Sequence, residues 1–299
     1  MVVMADPRPV WERVAEFMRG EVTRRTFRPP ADSRCTDVAL WTRNGWAGQE
    51  VVGERAHLLA LRSVVGPGHR PKGAEHRAVA TLVPEPTNRF DPDAVAVHID
   101  EQRIGYLPRE DAQRYRPVLD EIYATGRRPT VTARIWAADY EDWDPDQDTR
   151  VTRFGAGVHV ALDEPHLLLP INAAPAEPHV LLPDESTIQV HDIASHLDRL
   201  AAIPGTDGGR WVYATLHHVI EQLARSTRDI VEVRVNGECV GKLTPKMSGD
   251  VLPAVRFLAE RGRVAAARLL VSGNRAAVTA RLYVARAHQL DDHWFDEVS

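Results

Sequence analysis

The sequence predicts an α+β, mainly β protein: two tandem small antiparallel β-barrels, each with helical additions, preceded by an amphipathic N-terminal helix. Three observations lead there. Apolar–polar alternation of period 2 recurs in short runs bounded by Gly, Pro, Asn and Asp, which marks strands and turns. The strand and turn pattern of the first half returns in the second at a shift of 136 positions. A chain of 299 residues, 43% of them hydrophobic, has room for two ordinary domains.

Residues 1–48 read as an N-terminal arm. Val10, Val14, Phe17 and Met18 share one helical face, and Pro29-Pro30 ends helical geometry after Arg24, Arg25 and Arg28. Trp41 and Trp46 flank Asn44-Gly45, a turn signal. The first domain, residues 49–165, opens with a strand at Gln49–Glu54 and a helix at Arg55–Val65, then the loop GPGHRPKG with Arg70 and Lys72. Strands follow at Val79–Val83, Ala94–Ile99 and Arg103–Leu107, the last two joined at Asp100-Glu101. A helix from about Arg109 to Thr125 turns Tyr115, Val118, Leu119 and Ile122 inward and is capped by Gly126. A strand at Thr130–Trp136, an acidic loop and a strand at Gly157–Leu162 close the domain. Residues 166–186 form a Pro-rich linker expected to lie extended and pinned by its leucines.

Residues 187–288 read as a degenerate second copy, and 289–299 as a C-terminal tail. Setting Ile104-Gly105-Tyr106-Leu107 over Val240-Gly241-Lys242-Leu243 brings Val95, Val97 and Ile99 onto Val231, Val233 and Val235. The same shift places Asp100-Glu101 on Asn236-Gly237, Pro117 on Pro253 and Gly126 on Gly262. Further out, Ala80-Thr81-Leu82 matches Ala214-Thr215-Leu216, and Val52-Gly53-Glu54 is set on Val190-His191-Asp192. Trp211–Arg225 also fits helical spacing through Val212, Leu216, Val219, Ile220 and Leu223, but the repeat requires a strand at Trp211–Leu216. About six short strands and a helix per copy are most simply closed as a small antiparallel barrel.

Chemistry concentrates in the loop between the strands at 79–83 and 94–99, where Asn88, Arg89, Phe90, Asp91 and Asp93 crowd together. The stretch E-P-x-N-x-F-D-x-x-A-V-x-V followed by I-G-Y-L resembles the HIRAN domain, in its bacterial stand-alone form. The resemblance covers residues 49–165 well and residues 187–288 more weakly. It implies an OB- or SH3-like barrel that binds nucleic acid. By motif match it points to Asn88, Phe90 and Asp91 as a pocket for a DNA 3′ end, the aromatic stacking on a base and the Asp accepting from the terminal hydroxyl. An aromatic face is a sequence-tolerant platform, and a carboxylate accepts from a hydroxyl while repelling a phosphate. Arg55 and His57 follow Val52-Gly53 where the family has a basic residue and aromatics, with Ala56 at one aromatic position. Phe154 is the candidate for the family's aromatic on the closing strand, and Arg89 belongs to the same nucleic-acid set. Arg109, Arg127 and Arg128 are candidate phosphate contacts. Against this stands a purely structural reading, in which Asn and Asp bond their own backbone and Phe90 plugs the barrel.

The remaining composition narrows the classes. The net charge of −5 argues against a protein that coats nucleic acid, though a local basic patch suffices for a phosphate. Cys35 and Cys239 make no metal knuckle or disulfide framework. No apolar run spans a membrane and no signal peptide is visible, so a cytoplasmic protein is expected. Asp139–Asp148 holds six carboxylates, but a calcium loop begun at Asp144 would need Gly at the position of Thr149 and Glu at that of Gly155. No P-loop, zinc motif, motor or other cofactor signature is present, and no cofactor or metal is expected. The function read from the sequence is a non-enzymatic protein binding single-stranded DNA or DNA ends through its first barrel. It would be accessory to repair, replication or defence, with a helicase or nuclease as possible protein partner. The alternatives are a protein-interaction scaffold and a metal-dependent nuclease on Glu85, Asp91 and Asp93. The second copy lacks the Phe-Asp loop and would be a packing partner, a dimerisation unit or a second site on Arg228, Lys242 and Lys246.

Overall fold

The computed structural model describes residues 35–43, 45, 47–201, 203, 208–274 and 277–299. The expected N-terminal helix lies outside the described residues, as do Asn44 and Trp46 of the expected turn. The chain divides between Leu168 and Leu169 into two compact units.

The first unit is built on strands β1 (Thr36–Ala39), β2 (Gln49–Glu50), β3 (Ala74–Pro84), β4 (Val95–Ile99), β5 (Gln102–Tyr106), β6 (Arg127–Asp144) and β7 (Thr149–Val160). Among the described residues, two helices are inserted, α1 (Leu58–Val65), entered through a 3-10 turn at Glu54–His57, and α2 (Arg109–Ala124). The strands run in the order β2-β7-β6-β3-β4-β5, all antiparallel, and β1 adds a parallel partner to β6. Period-2 alternation buries Leu82, Val95, Val97, Val131, Ala133, Ile135, Val158 and Val160 on the inner face. Helix α2 packs Tyr115, Leu119 and Ile122 beside β3 and β6.

The sheet closes on itself at one seam. Val52, just past β2, bridges Tyr106 at the end of β5 through hydrogen bonds of 2.8 and 2.9 Å in both directions. This explains the glycine of I-G-Y-L: a Cβ on Gly105 would stand 2.5 Å from Val51 Cγ1 and 2.8 Å from the Val52 carbonyl oxygen. Only a residue without a side chain lets the two edges meet.

The second unit consists of β8 (His179–Leu181), β9 (Thr187–Gln189), β10 (Arg210–Gln222), β11 (Thr227–Val235), β12 (Glu238–Lys242), β13 (Val264–Asn274) and β14 (Ala277–Tyr283). Its helices are α3 (Leu197–Ala201), α4 (Pro245–Ala259) and α5 (Asp292–Glu297). The order β9-β14-β13-β10-β11-β12, with β8 parallel to β13, repeats that of the first unit element for element. Its core joins Leu216, Val231, Val233, Val240, Leu269 and Leu282 to Val251, Val255 and Leu258 of α4. The seam recurs as the His191–Lys242 bridge, and a Cβ on Gly241 would meet the His191 carbonyl oxygen at 2.5 Å.

Several local expectations are revised by this packing. Val190 and His191 contact Gly241 as Val51 and Val52 contact Gly105, so the match of Val52 to Val190 is one residue out. Gly53 (φ 86°) then corresponds to Asp192 (φ 60°), both ahead of a 3-10 turn. Trp211 to Gln222 is strand, because β10 is hydrogen-bonded on both sides, to β11 and β13; Trp211 packs edge-on against Tyr283 at 4.8 Å. The stretch expected as an acidic loop is largely a hairpin: β6 runs to Asp144 and β7 begins at Thr149. Cross-strand pairs offset its charge, Arg153 with Asp142 at 2.9 Å and Arg150 with Glu141 at 3.3 Å. Within the expected linker, β8 pairs with β13 and Leu182 is buried, so backbone pairing pins it. No helix among the described residues is long and apolar enough to cross a membrane.

Two partly buried imidazoles give the fold a pH dependence. Burial, and then the nearby Arg103, holds His98 below its ordinary value; burial, and then Arg234, does the same for His217. The unfolded chain takes up these protons near pH 6.5, the folded chain only at lower pH. Stability is therefore lost as pH falls below about 6.5. Denaturant midpoints compared between neutral and mildly acidic pH should fall, and His98→Gln should flatten the fall; an unchanged slope in that variant would remove His98 from the effect.

Candidate nucleic-acid interface

The loop joining β3 to β4 is held by its own polar side chains and by α2. Asn88 Oδ1 accepts from the backbone N–H groups of Phe90 (3.0 Å) and Asp91 (3.3 Å), and Asp91 Oδ1 accepts from that of Asp93 (3.0 Å). These are Asx turns, the local bonding such residues favour. From α2, the Arg109 Nε lies 3.0 Å from Asp91 Oδ2, and its Nη2 donates to the Phe90 carbonyl at 3.3 Å. The buried Arg116 donates from Nη1 to the Pro92 carbonyl at 2.6 Å and pairs through Nε with Asp120.

With its backbone held on both sides, the loop presents Phe90 outward. The ring is 76% exposed and does not plug the barrel. The Arg89 guanidinium lies 4.6 Å from its centroid. A large exposed aromatic on a rigid loop is a stacking surface already ordered before a ligand arrives. Asp91 has one interaction on each oxygen and keeps further lone pairs for an incoming hydroxyl, while Arg109 tempers its repulsion of a nearby phosphate.

Glu85 links this loop to the barrel seam. It accepts from Asn88 Nδ2 (2.9 Å), Tyr106 Oη (3.2 Å) and Arg103 Nη1 (3.1 Å). Arg103 also lies over the Tyr106 ring, 5.4 Å from its centroid. Burial, and then Glu85, pushes the Tyr106 phenol above its usual range, so it stays a neutral donor. Across the seam lies the 3-10 turn, with Arg55 and Ala56 exposed and His57 partly buried. Burial, and then Arg103, lowers His57 from its ordinary value.

The structure thus gathers Asn88, Arg89, Phe90 and Asp91; Glu85, Tyr106 and Arg103 connect them toward His57 across the seam, and Arg55 is exposed on the same 3-10 turn. It does not bring Phe154 to them. That ring is 8% exposed, edge-on to His69 at 5.3 Å and under Arg62 at 5.6 Å. It pairs with Asp139 near the first residue of β3, whereas the loop follows the last. Among the arginines, Arg109 is engaged with Asp91, and Arg128 is held by Asp37 and Glu101, both at 2.6 Å. Those hydrogen bonds, Asp37 first, raise its pKa further. Arg127 is exposed at the start of β6.

Arg103 and Tyr106 carry no local signal as site residues in the sequence, and Glu85 enters there only as a carboxylate of the nuclease alternative. Tyr106 read only as framework, since nothing local shows that β5 closes onto the chain before α1. In the second unit, Lys242 at the seam is bound by Glu221 (2.7 Å) and Asp192 (3.1 Å), and Arg228 pairs with the same Glu221. Hydrogen bonds from Lys242 and then Arg228 lower the Glu221 carboxyl. Arg228 and Lys242 are thus already neutralised, while Lys246 is exposed in the first turn of α4.

Fold and site together define a small β-barrel binding module: an outward aromatic, an ordered amide–carboxylate loop and basic side chains at the seam. No cluster of three or more His, Cys, Asp or Glu able to hold a metal occurs among the described residues. Residues 57–149 match the HIRAN domain family, and the chain carries a HIRAN domain over that stretch. HIRAN domains are generally DNA-binding, recognising single strands or 3′ ends. No curated protein and no solved structure matches the chain.

Proposed function

We propose that this chain binds single-stranded DNA or a DNA 3′ end through the Phe90–Asp91 loop, without catalysing a reaction, as a cytoplasmic accessory to repair, replication or defence. A helicase or nuclease would be its protein partner. The observation that carries the reading is the exposed, backbone-anchored Phe90 next to the Asp91 carboxylate. An aromatic plugging the core would be buried; this one faces solvent beside an acceptor suited to a free hydroxyl.

The second barrel fits a degenerate copy whose own side chains fill the equivalent place. Strand order and the glycine seam agree between the units, and Lys242 stands where Tyr106 does; it is bonded by Glu221, two residues beyond the register position of Glu85, as Tyr106 is bonded by Glu85. Cys239 takes the position of Arg103, with His196 Nε2 at 3.5 Å from its sulfur. Burial raises this thiol above its ordinary value, which disfavours a nucleophilic thiolate.

The test is fluorescence anisotropy on labelled single strands ending in a free 3′ hydroxyl or a 3′ phosphate, at two salt concentrations. Tighter binding of the free end is expected at both. Equal binding of the two ends removes end recognition; stable protein partners that survive nuclease treatment, with no DNA bound, favour a scaffold.

A further inference from the structure

The outer face of the first sheet is unlike that of an ordinary surface. Along β6, Thr132, Arg134, Trp136, Ala138 and Tyr140 point away from the core, and Trp136 is 55% and Tyr140 50% exposed. The pairing registers arrange this face in rows across three strands. Arg77, Arg134 and His159 form one row; Glu75, Trp136 and Gly157 the next; Ala138 and Gly155, then Tyr140 and Arg153, follow. Rows two residues apart stand roughly 7 Å from one another. Val79, 66% exposed, extends the face beyond the arginine row.

Three features of this face bear on what it could hold. Like charges directly opposite on adjacent strands oppose folding, yet Arg77 faces Arg134, and Glu75 is the carboxylate bonded to Arg134 at 3.3 Å. The turn ending at Gly73, over which the Trp136 indole lies, adds exposed Arg70 and Lys72 to the same neighbourhood. Finally, Gly157 sits mid-strand beside Trp136, where a Cβ would meet nothing within 4 Å and no left-handed φ requires glycine. A mid-strand glycine weakens a strand. Here it leaves clear the surface next to the indole.

We propose that this outer face is a second nucleic-acid site, separate from the loop, that carries the body of a single strand. Bases stack on Trp136 and Tyr140, while Lys72, Arg77 and Arg134 hold phosphates. The ligand class is single-stranded DNA or RNA without sequence preference, because stacking is open to any base and the charges face the backbone. Opposite Tyr140, Arg153 is engaged by Asp142 and Asp144, and Asp146 and Asp148 follow at the turn, so the track ends there by repulsion.

The experiment uses the full chain and ~20-nucleotide oligo-dT or oligo-U carrying a 3′ phosphate, which removes the contribution of end recognition. Combined Trp136→Ala and Tyr140→Ala should weaken binding of these blocked strands by about 30-fold or more, with Phe90→Ala much less disruptive. Gly157→Val should keep or raise the melting temperature while weakening the same binding, which separates a blocked surface from a damaged fold. Wild-type affinity in the double variant, or in Gly157→Val, overturns the proposal, as does absence of wild-type binding to blocked strands. If end preference is absent but the double variant still loses affinity, the loop reading fails and this one stands. A preference between the dT and U arms reports whether DNA or RNA is favoured.

Discussion

Phe90→Ala is expected to reduce affinity for a single strand with a free 3′ hydroxyl by about 5- to 100-fold, the loss of roughly 1–3 kcal/mol of stacking. The ring is 76% exposed, so its removal should leave the melting temperature nearly unchanged. Asp91→Asn tests the other half of the site. The amide keeps an acceptor but loses the charge that repels a 3′ phosphate, and it breaks the ion pair with Arg109. Discrimination between free and phosphorylated ends should collapse through tighter binding of the phosphorylated end. Anisotropy titrations of both strands against both variants measure this; an Asp91→Asn protein with undiminished end preference would falsify the carboxylate's role.

Gly105→Val should be the most destabilising single change in the first barrel. Its Cβ would stand 2.8 Å from the Val52 carbonyl oxygen, which accepts from the Tyr106 N–H at 2.9 Å. Backbone cannot yield as a flexible side chain can, so the bridge that closes the barrel must open. A loss of roughly 3 kcal/mol or more is expected. Gly241→Val should do the same to the second unit, where the His191 carbonyl stands 2.5 Å from the added atom. Gly157→Ala is the control, since a Cβ there meets nothing within 4 Å. Calorimetry on the three variants checks the ranking; a Gly105→Val protein that melts with the wild type would mean the seam does not hold the barrel closed.

The same residues separate what was legible in the chain from what was not. Alternation at Val95, Val97 and Ile99 and the turns at Asp100-Glu101 and Asn236-Gly237 announced hairpins, because strand and turn signals are local. Self-comparison then decided Trp211–Leu216 correctly against a helical period, since a shared pattern carries longer-range information than any single window. The fit slipped by one residue near Val190, where sequence similarity is thin and only contact with Gly241 reveals the register.

The site divided along the same line. Asn88, Phe90 and Asp91 lie within one turn, so their grouping was visible in the sequence, and Asx bonding holds them as such spacing dictates. Whether Phe90 faced the core or solvent was not visible, because that depends on how α2 grips the loop through Arg109 and Arg116. Nor could the chain show that Phe154 lies under Arg62 and His69, that Lys242 is neutralised by Asp192 and Glu221, or that Trp136 and Tyr140 share an open face with Gly157. By itself, then, the sequence determined the strands, turns, repeated strand pattern and composition of the candidate loop, all set by interactions over a few residues. The tertiary structure alone decided the seam at Gly105, the exposure of Phe90 and the neighbours of each charge. Those depend on which edges meet when the sheet curls, and on pairings between residues far apart in the chain.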